Sequence, residues 1–229
     1  MGDTVYNQKN IDFKKFYDRL KSMVPQLRNY VTYSLLAAEN LSLIDRSYYD
    51  PDGVLDQVYL TVFKENDSRA MSQELKHVLY RKSLESLEKL IMDEEYTPND
   101  PSTSGFLKAE LDRLEKKFTK DADGDWMFQE ELDDISYKQD RKRSENIYLD
   151  DALVEQLVLR FELEDKFIAA ENKRYLGLIY NSIPSISRSI MELYTYGRLE
   201  VKDITEILQV EEASVKRVLK IVKEKFRLI

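Results

Sequence analysis

The chain has 229 residues, of which 42% are hydrophobic and 34% charged, a balance that favours a folded, helix-rich protein with a sizeable core. It has no cysteine and a single histidine, His77, which excludes a disulfide framework, a cysteine zinc site and a histidine metal cage. Its six glycines are too widely spaced for a GxGxxG loop, a P-loop or a GxSxG elbow. The net charge of −8 argues against an indiscriminate nucleic-acid coat, although one basic face could still bind DNA.

The longest uncharged stretches, 29–38 and 175–187, are too short and too polar to cross a bilayer. The segment after Met1 does not resemble a secretion signal. No pair of acidic residues has the apolar surroundings that general acid catalysis needs. We therefore expect a cytoplasmic protein that has no membrane contact, no cofactor, no metal and no enzymatic activity.

The N-terminal part is predicted to form three amphipathic helices. Apolar residues recur every three or four positions over 13–31, which predicts a first helix over about 11–37. Turn-forming residues at 50–53, with aspartates suited to an N-cap, predict a second helix that begins there and ends near 66–68. A third apolar series covers 71–91, and strand signals are sparse throughout the chain.

A linker is predicted after these helices. Residues 97–105 combine two prolines with small polar residues, a composition that resists both helix and strand. From 110 to 165 there are 18 acidic and 9 basic residues, and the simplest interpretation of that excess is a solvated acidic connector. We place the domains at 8–95 and 151–229, with the insert 96–150 between them.

The C-terminal part is predicted to form short helices. Apolar spacing indicates helices over 186–196, 201–208 and 214–226, with a stop at Gly197 and a tight turn at 209–212. The predicted fold class is therefore all-α, with two helical domains joined by a linker and a C-terminal helix-turn-helix.

The last helix is predicted to have one apolar and one basic face. Between 214 and 227 there are six Lys or Arg residues and one acidic residue, a local reversal of the chain's overall charge. DNA phosphates favour such a face, and basic side chains near the helix start can reach guanine edges in the major groove. A three-helix bundle with a basic solvent face could imitate this pattern. At 3.6 residues per turn, the residues on the basic side are Lys216, Arg217, Lys220 and Arg227.

The whole C-terminal block carries a family resemblance. The residues concerned are Ile183–Pro184, Arg188, Ile190, Leu193, Gly197, Asp203–Ile204–Thr205, Val210 and Ser214–Val215–Lys216–Arg217. Together they resemble the fourth conserved region of bacterial sigma factors, which binds the promoter element near −35. The resemblance implies that Ser214, Lys216, Arg217 and Lys220 contact DNA.

The N-terminal helices are similar to the second conserved region of the same family. The run 53–63 has the hydrophobic skeleton of the family's polymerase-binding helix, although Gly53 stands where the family has an acidic residue. The resemblance implies that Asp52, Asp56 and Gln57 meet the coiled coil of the polymerase beta-prime subunit.

The run 75–81 occupies the place of the family's aromatic promoter-melting stretch. Tyr80 and Arg81 match it, whereas the expected Trp and the terminal Asn are absent. The resemblance implies that Tyr80 and Arg81 contact DNA. It also implies that a flipped base of the −10 element is captured by the polar loop before that helix, through Asn66, Ser68 and Arg69. A simple polar loop is the other interpretation of these three residues.

Two such regions with only a connector between them resemble sigma factors of the extracytoplasmic-function class. The implied function is promoter-specific initiation of transcription at the nucleoid. The implied partners are promoter DNA and core RNA polymerase, met through its beta-prime coiled coil and beta flap. An anti-sigma factor or a DNA-targeting recruiting protein is a further expected partner. Two alternatives stay open: a helix-turn-helix regulator that does not bind polymerase, and a sigma-like adaptor brought to DNA by another protein.

Overall fold

A computed structural model describes residues 13–45, 47–65, 72–94, 118–120, 126–128, 149–163 and 170–227. Within these ranges the secondary structure is helical apart from one short hairpin, which confirms the predicted all-α class. The helices are α1 (13–20), α2 (Val24–Asn40), α3 (Pro51–Glu65), α4 (Ser72–Glu94), α5 (Asp151–Phe161), α6 (Ala170–Ser182), α7 (Ser185–Thr195), α8 (Val201–Leu208) and α9 (Glu212–Arg227).

The hairpin lies in the predicted acidic insert, where the sequence suggested no strand. Its strands, β1 (Phe118–Lys120) and β2 (Trp126–Phe128), are antiparallel, with Thr119 opposite Met127. Aromatic residues and threonine favour a pleated backbone, and the intervening Asp- and Gly-rich stretch suits a connection between antiparallel strands.

The predicted first helix is wrong in one respect, because it is two helices. Residues 21–23 form a turn between α1 and α2, and Pro25 lies in the first turn of α2. Proline has no N–H to donate, and its ring clashes with the carbonyl four residues earlier, so it is tolerated in a first turn and not inside a helix. The apolar period continues across the break, which is why spacing alone did not reveal it.

Aspartates begin two of the helices. The Gly53 N–H donates to Oδ2 of Asp50 at 3.2 Å at the start of α3, and the Ala152 N–H donates to Oδ1 of Asp150 at 2.9 Å at the start of α5. Each carboxylate satisfies an N–H that the helix itself leaves without an acceptor. The predicted start of α3 is therefore confirmed, and an aspartate begins α5 in the same way.

Helices from both predicted domains contribute to one core cluster. Its largest fully buried side chains include four tyrosines and a phenylalanine: Tyr30, Tyr80, Tyr180, Tyr196 and Phe226. Rings from the N-terminal and C-terminal helices meet directly, since the centroids of Tyr33 and Tyr196 are 5.5 Å apart. The division into domains at 8–95 and 151–229 stays a prediction, but the described helices of the two segments are packed against each other.

Candidate nucleic-acid interface

Helices α8 and α9 are joined by a tight turn, and both contact α7. Gln209 ends α8 in the left-handed conformation, with φ at 55°, and its N–H donates to the Thr205 carbonyl. The Glu211 carbonyl then accepts N–H groups of Ser214 and Val215, at 3.0 and 3.2 Å. The turn thus occupies 209–211, close to the turn that the sequence predicts.

Apolar side chains hold the two helices in place. On α8 the buried residues are Ile204 and Ile207, and on α9 they include Val215, Val218, Val222 and Phe226. The ring of Phe226 meets the ring of Phe161 on α5 edge to face, with centroids 5.7 Å apart. Because one side of α9 is buried in this way, its opposite side faces solvent.

The solvent side of α9 is basic, as predicted. Lys216, Arg217, Lys220 and Arg227 are all exposed, and Ser214 at the start of the helix is half-buried. Two of the lysines pair with acids one turn away, Lys216 with Glu212 at 2.6 Å and Lys220 with Glu224 at 3.8 Å. Exposed pairs of this spacing contribute only a few tenths of a kcal/mol each, so phosphates could replace the carboxylates at little cost.

Two of the six basic residues counted in this helix do not belong to its exposed face. Lys225 is buried, with 6% of its surface exposed, and burial lowers its pKa to about 8. Lys223 is half-buried and pairs with Glu162 at the end of α5, at 3.1 Å. The basic surface is therefore smaller than the composition of the helix suggests.

Arg160 connects α5 to the segment that precedes α8. Its guanidinium donates from Nε to the Tyr194 carbonyl at 3.0 Å and from Nη2 to the Leu199 carbonyl at 3.1 Å. It also lies over the ring of Tyr194, 4.0 Å from the centroid. These contacts fix the connection between α7 and α8, and with it the orientation of α8 and α9.

Asp203 on α8 is the centre of a junction with α4. Its Oδ2 lies 2.7 Å from Nζ of Lys76, and its Oδ1 lies 2.8 Å from Nε2 of His77. Burial raises the pKa of Asp203, but the hydrogen bonds and charges of Lys76 and His77 outweigh that effect and hold the pKa below its usual value. The chain's one histidine is thus half-buried beside a carboxylate.

Tyr80 and Arg81, both predicted to contact DNA, lie against the C-terminal segment in this structure. Tyr80 is 1% exposed, and its hydroxyl lies 3.3 Å from the Gly197 carbonyl. Arg81 donates to the last carbonyls of α8, from Nη2 to Glu206 at 2.8 Å and from Nε to Ile207 at 3.0 Å. In this conformation the Tyr80 ring cannot stack on a base, and two of the N–H groups of the half-buried Arg81 are engaged within the protein. The terminal carbonyls of α8 have no hydrogen-bond partner within the helix. They therefore attract the positively charged guanidinium of Arg81.

The predicted polymerase-binding residues lie on the exposed side of α3. Asp52, Asp56 and Gln57 are all exposed. Arg28 of α2 donates to both oxygens of Asp52, at 2.7 and 2.9 Å, and this hydrogen bonding lowers the pKa of the carboxyl. The structure thus brings the three residues together on one surface, with part of its negative charge neutralised.

The other predicted DNA contacts, Asn66, Ser68 and Arg69, lie outside the described residues. A set of contacts at Gly197 was not predicted from the sequence. Besides Tyr80, the amide of Gln26 on α2 donates to the Gly197 carbonyl, across 171 positions of the chain. The predicted stop at Gly197 was the one available signal, and it did not indicate a partner so far away.

Comparison with protein-family models, curated proteins and solved structures finds no match for this chain. Among the described helices, none is long and apolar enough to span a membrane. Within the same residues, His, Asp and Glu side chains form no group of three that could hold a metal ion.

Proposed function

We propose that this chain is a sigma factor of the extracytoplasmic-function class, which binds core RNA polymerase and directs promoter-specific initiation. The observation that carries the proposal is the solvent side of α9. Four exposed basic residues lie opposite a side that buries Val215, Val218, Val222 and Phe226, on the second of two helices joined by a tight turn. This arrangement suits a helix that enters the major groove.

The exposed acidic side of α3 supports the polymerase half of the proposal. Asp56 and Gln57 face solvent next to Asp52, in the run whose hydrophobic skeleton resembles the family's polymerase-binding helix. Exposed charges of one sign guide association with a surface of the opposite sign. In this proposal α3 binds polymerase and α9 binds the upstream promoter element.

The first test mixes the chain with purified bacterial core RNA polymerase and follows complex formation by size-exclusion chromatography. Asp56→Lys should weaken the complex at least tenfold, because it reverses a charge in the expected contact. Asp18→Lys is the matched control, since Asp18 is an exposed acid on α1 outside the resemblance. The proposal is refuted if the wild-type chain forms no complex.

The second test concerns the base contacts of α9. Arg217→Ala should lower promoter affinity of the polymerase complex by about 1–3 kcal/mol and relax sequence choice at one or two base pairs. Lys220→Ala should instead weaken binding to all sequences alike and reduce its salt dependence, as expected for a phosphate contact. If Arg217→Ala leaves both affinity and sequence choice unchanged, α9 is not the recognition helix.

One observation favours the alternative of a helix-turn-helix regulator that acts without polymerase. The basic side of α9 is exposed in the free chain, whereas Tyr80 and Arg81 are engaged by the C-terminal helices. Sequence-specific binding of promoter duplex by the free chain, together with no complex with core polymerase, would select this alternative.

A further inference from the structure

A cavity between α2, α4 and α7 combines a polar wall with an apolar one. Its volume is about 80 Å³, and its polar wall consists of Ser34, Glu88, Ser185, Arg188, Ser189 and Glu192. Its other lining residues are leucine, isoleucine and alanine side chains of α2, α4 and the segment 41–44. We propose that this cavity binds a small aliphatic amine, whose protonated ammonium group donates hydrogen bonds to Glu88, Glu192 and Ser34. The inference goes beyond the proposed function and does not depend on it.

The charged groups that line the cavity are one positive charge short. Two carboxylates, Glu88 and Glu192, line it together with a single guanidinium, that of Arg188. Burial raises the pKa of Glu192, and the charge of Arg188 acts in the opposite direction. Burial and the charges of Glu85 and Glu192 raise the pKa of Glu88, and no cation among the described residues pairs with it. Since a carboxylate taken out of water needs a compensating charge, the cavity favours one further monovalent cation.

The hydrogen-bonding groups of the polar wall match an ammonium group. Ser34 is 5% exposed, and its hydroxyl has no hydrogen-bond partner of acceptable geometry among the described residues. Nη2 of Arg188 donates to the carbonyls of Asn181 and Ile183, at 3.2 and 2.9 Å, which holds the guanidinium in its place. A primary ammonium has three N–H donors and no acceptor, and the wall offers it two carboxylates and one hydroxyl.

The size and the apolar wall of the cavity suit a short carbon chain. A cavity of about 150 Å³ accepts benzene, so one of about 80 Å³ accepts an ammonium group and the first carbons of a chain. A second, more open space of about 220 Å³ adjoins it, because Leu84, Glu88 and Ser189 line both. The end of the chain can extend into this second space. Arg81 and Glu85 line it with opposite charges, which favours a monoamine over a diamine.

Isothermal titration calorimetry of the chain at about pH 7 and constant ionic strength tests the proposal. The probe is n-butylammonium chloride, and 1-butanol is its uncharged match. Potassium chloride serves as the inorganic monovalent cation. We expect butylammonium to bind with a dissociation constant of about 1 mM or lower, and 1-butanol and potassium to bind at least tenfold more weakly.

Four variants assign the binding to the polar wall. Glu88→Gln and Glu192→Gln keep the size of each side chain and remove its charge, so each should weaken butylammonium binding at least tenfold. Ser34→Ala removes one neutral acceptor and should weaken it about three- to tenfold. Glu74→Gln is the matched control, since Glu74 is an exposed acid of α4 that lines neither space, and it should leave the affinity unchanged. Circular dichroism verifies that all four variants remain folded.

Several outcomes would overturn the amine site. The first is a wild-type chain that shows no saturable binding of butylammonium. Equal affinity for 1-butanol would identify an apolar cavity in which the charges have no role, and equal affinity for potassium would identify a site for inorganic cations. An affinity that neither Glu88→Gln nor Glu192→Gln changes would place the bound amine elsewhere on the protein. The assays of polymerase and promoter binding are separate, so none of these outcomes decides about the proposed function.

Discussion

Replacing Gly197 by alanine should destabilise the protein, because the site has no room for a methyl group. A Cβ atom at this position would lie 2.6 Å from the Leu193 carbonyl oxygen and 3.2 Å from the Tyr80 ring. The first of these neighbours is backbone, at the end of α7, and cannot rotate away. The Gly197 carbonyl also accepts hydrogen bonds from Gln26 and Tyr80, so a shift of this segment disturbs the contact between α2, α4 and α7.

The expected size follows from these contacts. Inserting a methyl group into a packed site costs about 1–3 kcal/mol. Weakening one buried hydrogen bond adds about 0.5–1.5 kcal/mol. The lower backbone entropy of alanine in the unfolded chain offsets about 0.4–1 kcal/mol. We expect Gly197→Ala to lower the free energy of unfolding by about 2–3 kcal/mol.

Urea denaturation followed by far-UV circular dichroism measures this change, and Gly53→Ala is the matched control. At Gly53, in the first turn of α3, an added Cβ would meet only Asp50, at 3.8 and 3.9 Å. Because alanine favours helix over glycine by about 0.5–1 kcal/mol, this substitution should stabilise the protein. The reasoning is refuted if Gly197→Ala is as stable as the wild type, or if the two substitutions change stability in the same direction.

Two further predictions concern the pH dependence of stability. Burial lowers the pKa of Lys225 to about 8, so the unfolded chain binds this proton more tightly than the folded chain does. The contribution of Lys225 to the free energy of unfolding therefore rises with pH, from about pH 8 to above pH 10. Lys225→Met should therefore stabilise the protein by about 1–3 kcal/mol at pH 7, and urea titrations should find a smaller gain at about pH 10. Burial raises the pKa of Glu192, although the hydrogen bond from Tyr180 and the charge of Arg188 act in the opposite direction. The contribution of Glu192 to the free energy of unfolding therefore falls as the pH rises above the usual pKa of a glutamate. Glu192→Gln should stabilise the protein by on the order of 1 kcal/mol at pH 7 and leave it unchanged at about pH 3, and a gain equal at both pH values would contradict this origin.

Most helix positions could be predicted from the sequence, because the signals that set them are local. The 3.6-residue apolar period located α3, α4, α8 and α9, and the aspartates at 50–53 located the start of α3. The same period placed the basic residues of α9 on the solvent side. It failed at the break before α2, where a proline decided the outcome without disturbing the apolar spacing.

Contacts between the N-terminal and the C-terminal helices were decided only by the tertiary structure. Tyr80 has an aromatic ring and Arg81 a charge that suit DNA, and their local sequence is equally compatible with a surface helix. Tyr80 is buried and Arg81 is engaged because the N-terminal helices pack against a segment of the chain, 197–207, that lies more than a hundred positions further along. The burial of Lys225 was also decided by packing. The helical period places this residue near the boundary between the apolar and the polar side of α9, and only the contacts with neighbouring helices decide whether it is buried or exposed. Apolar periodicity and helix caps depend on residues a few positions apart in the sequence. The contacts of Tyr80, Arg81 and Lys225 depend instead on which helix surfaces pack against each other, and no local sequence pattern determines that.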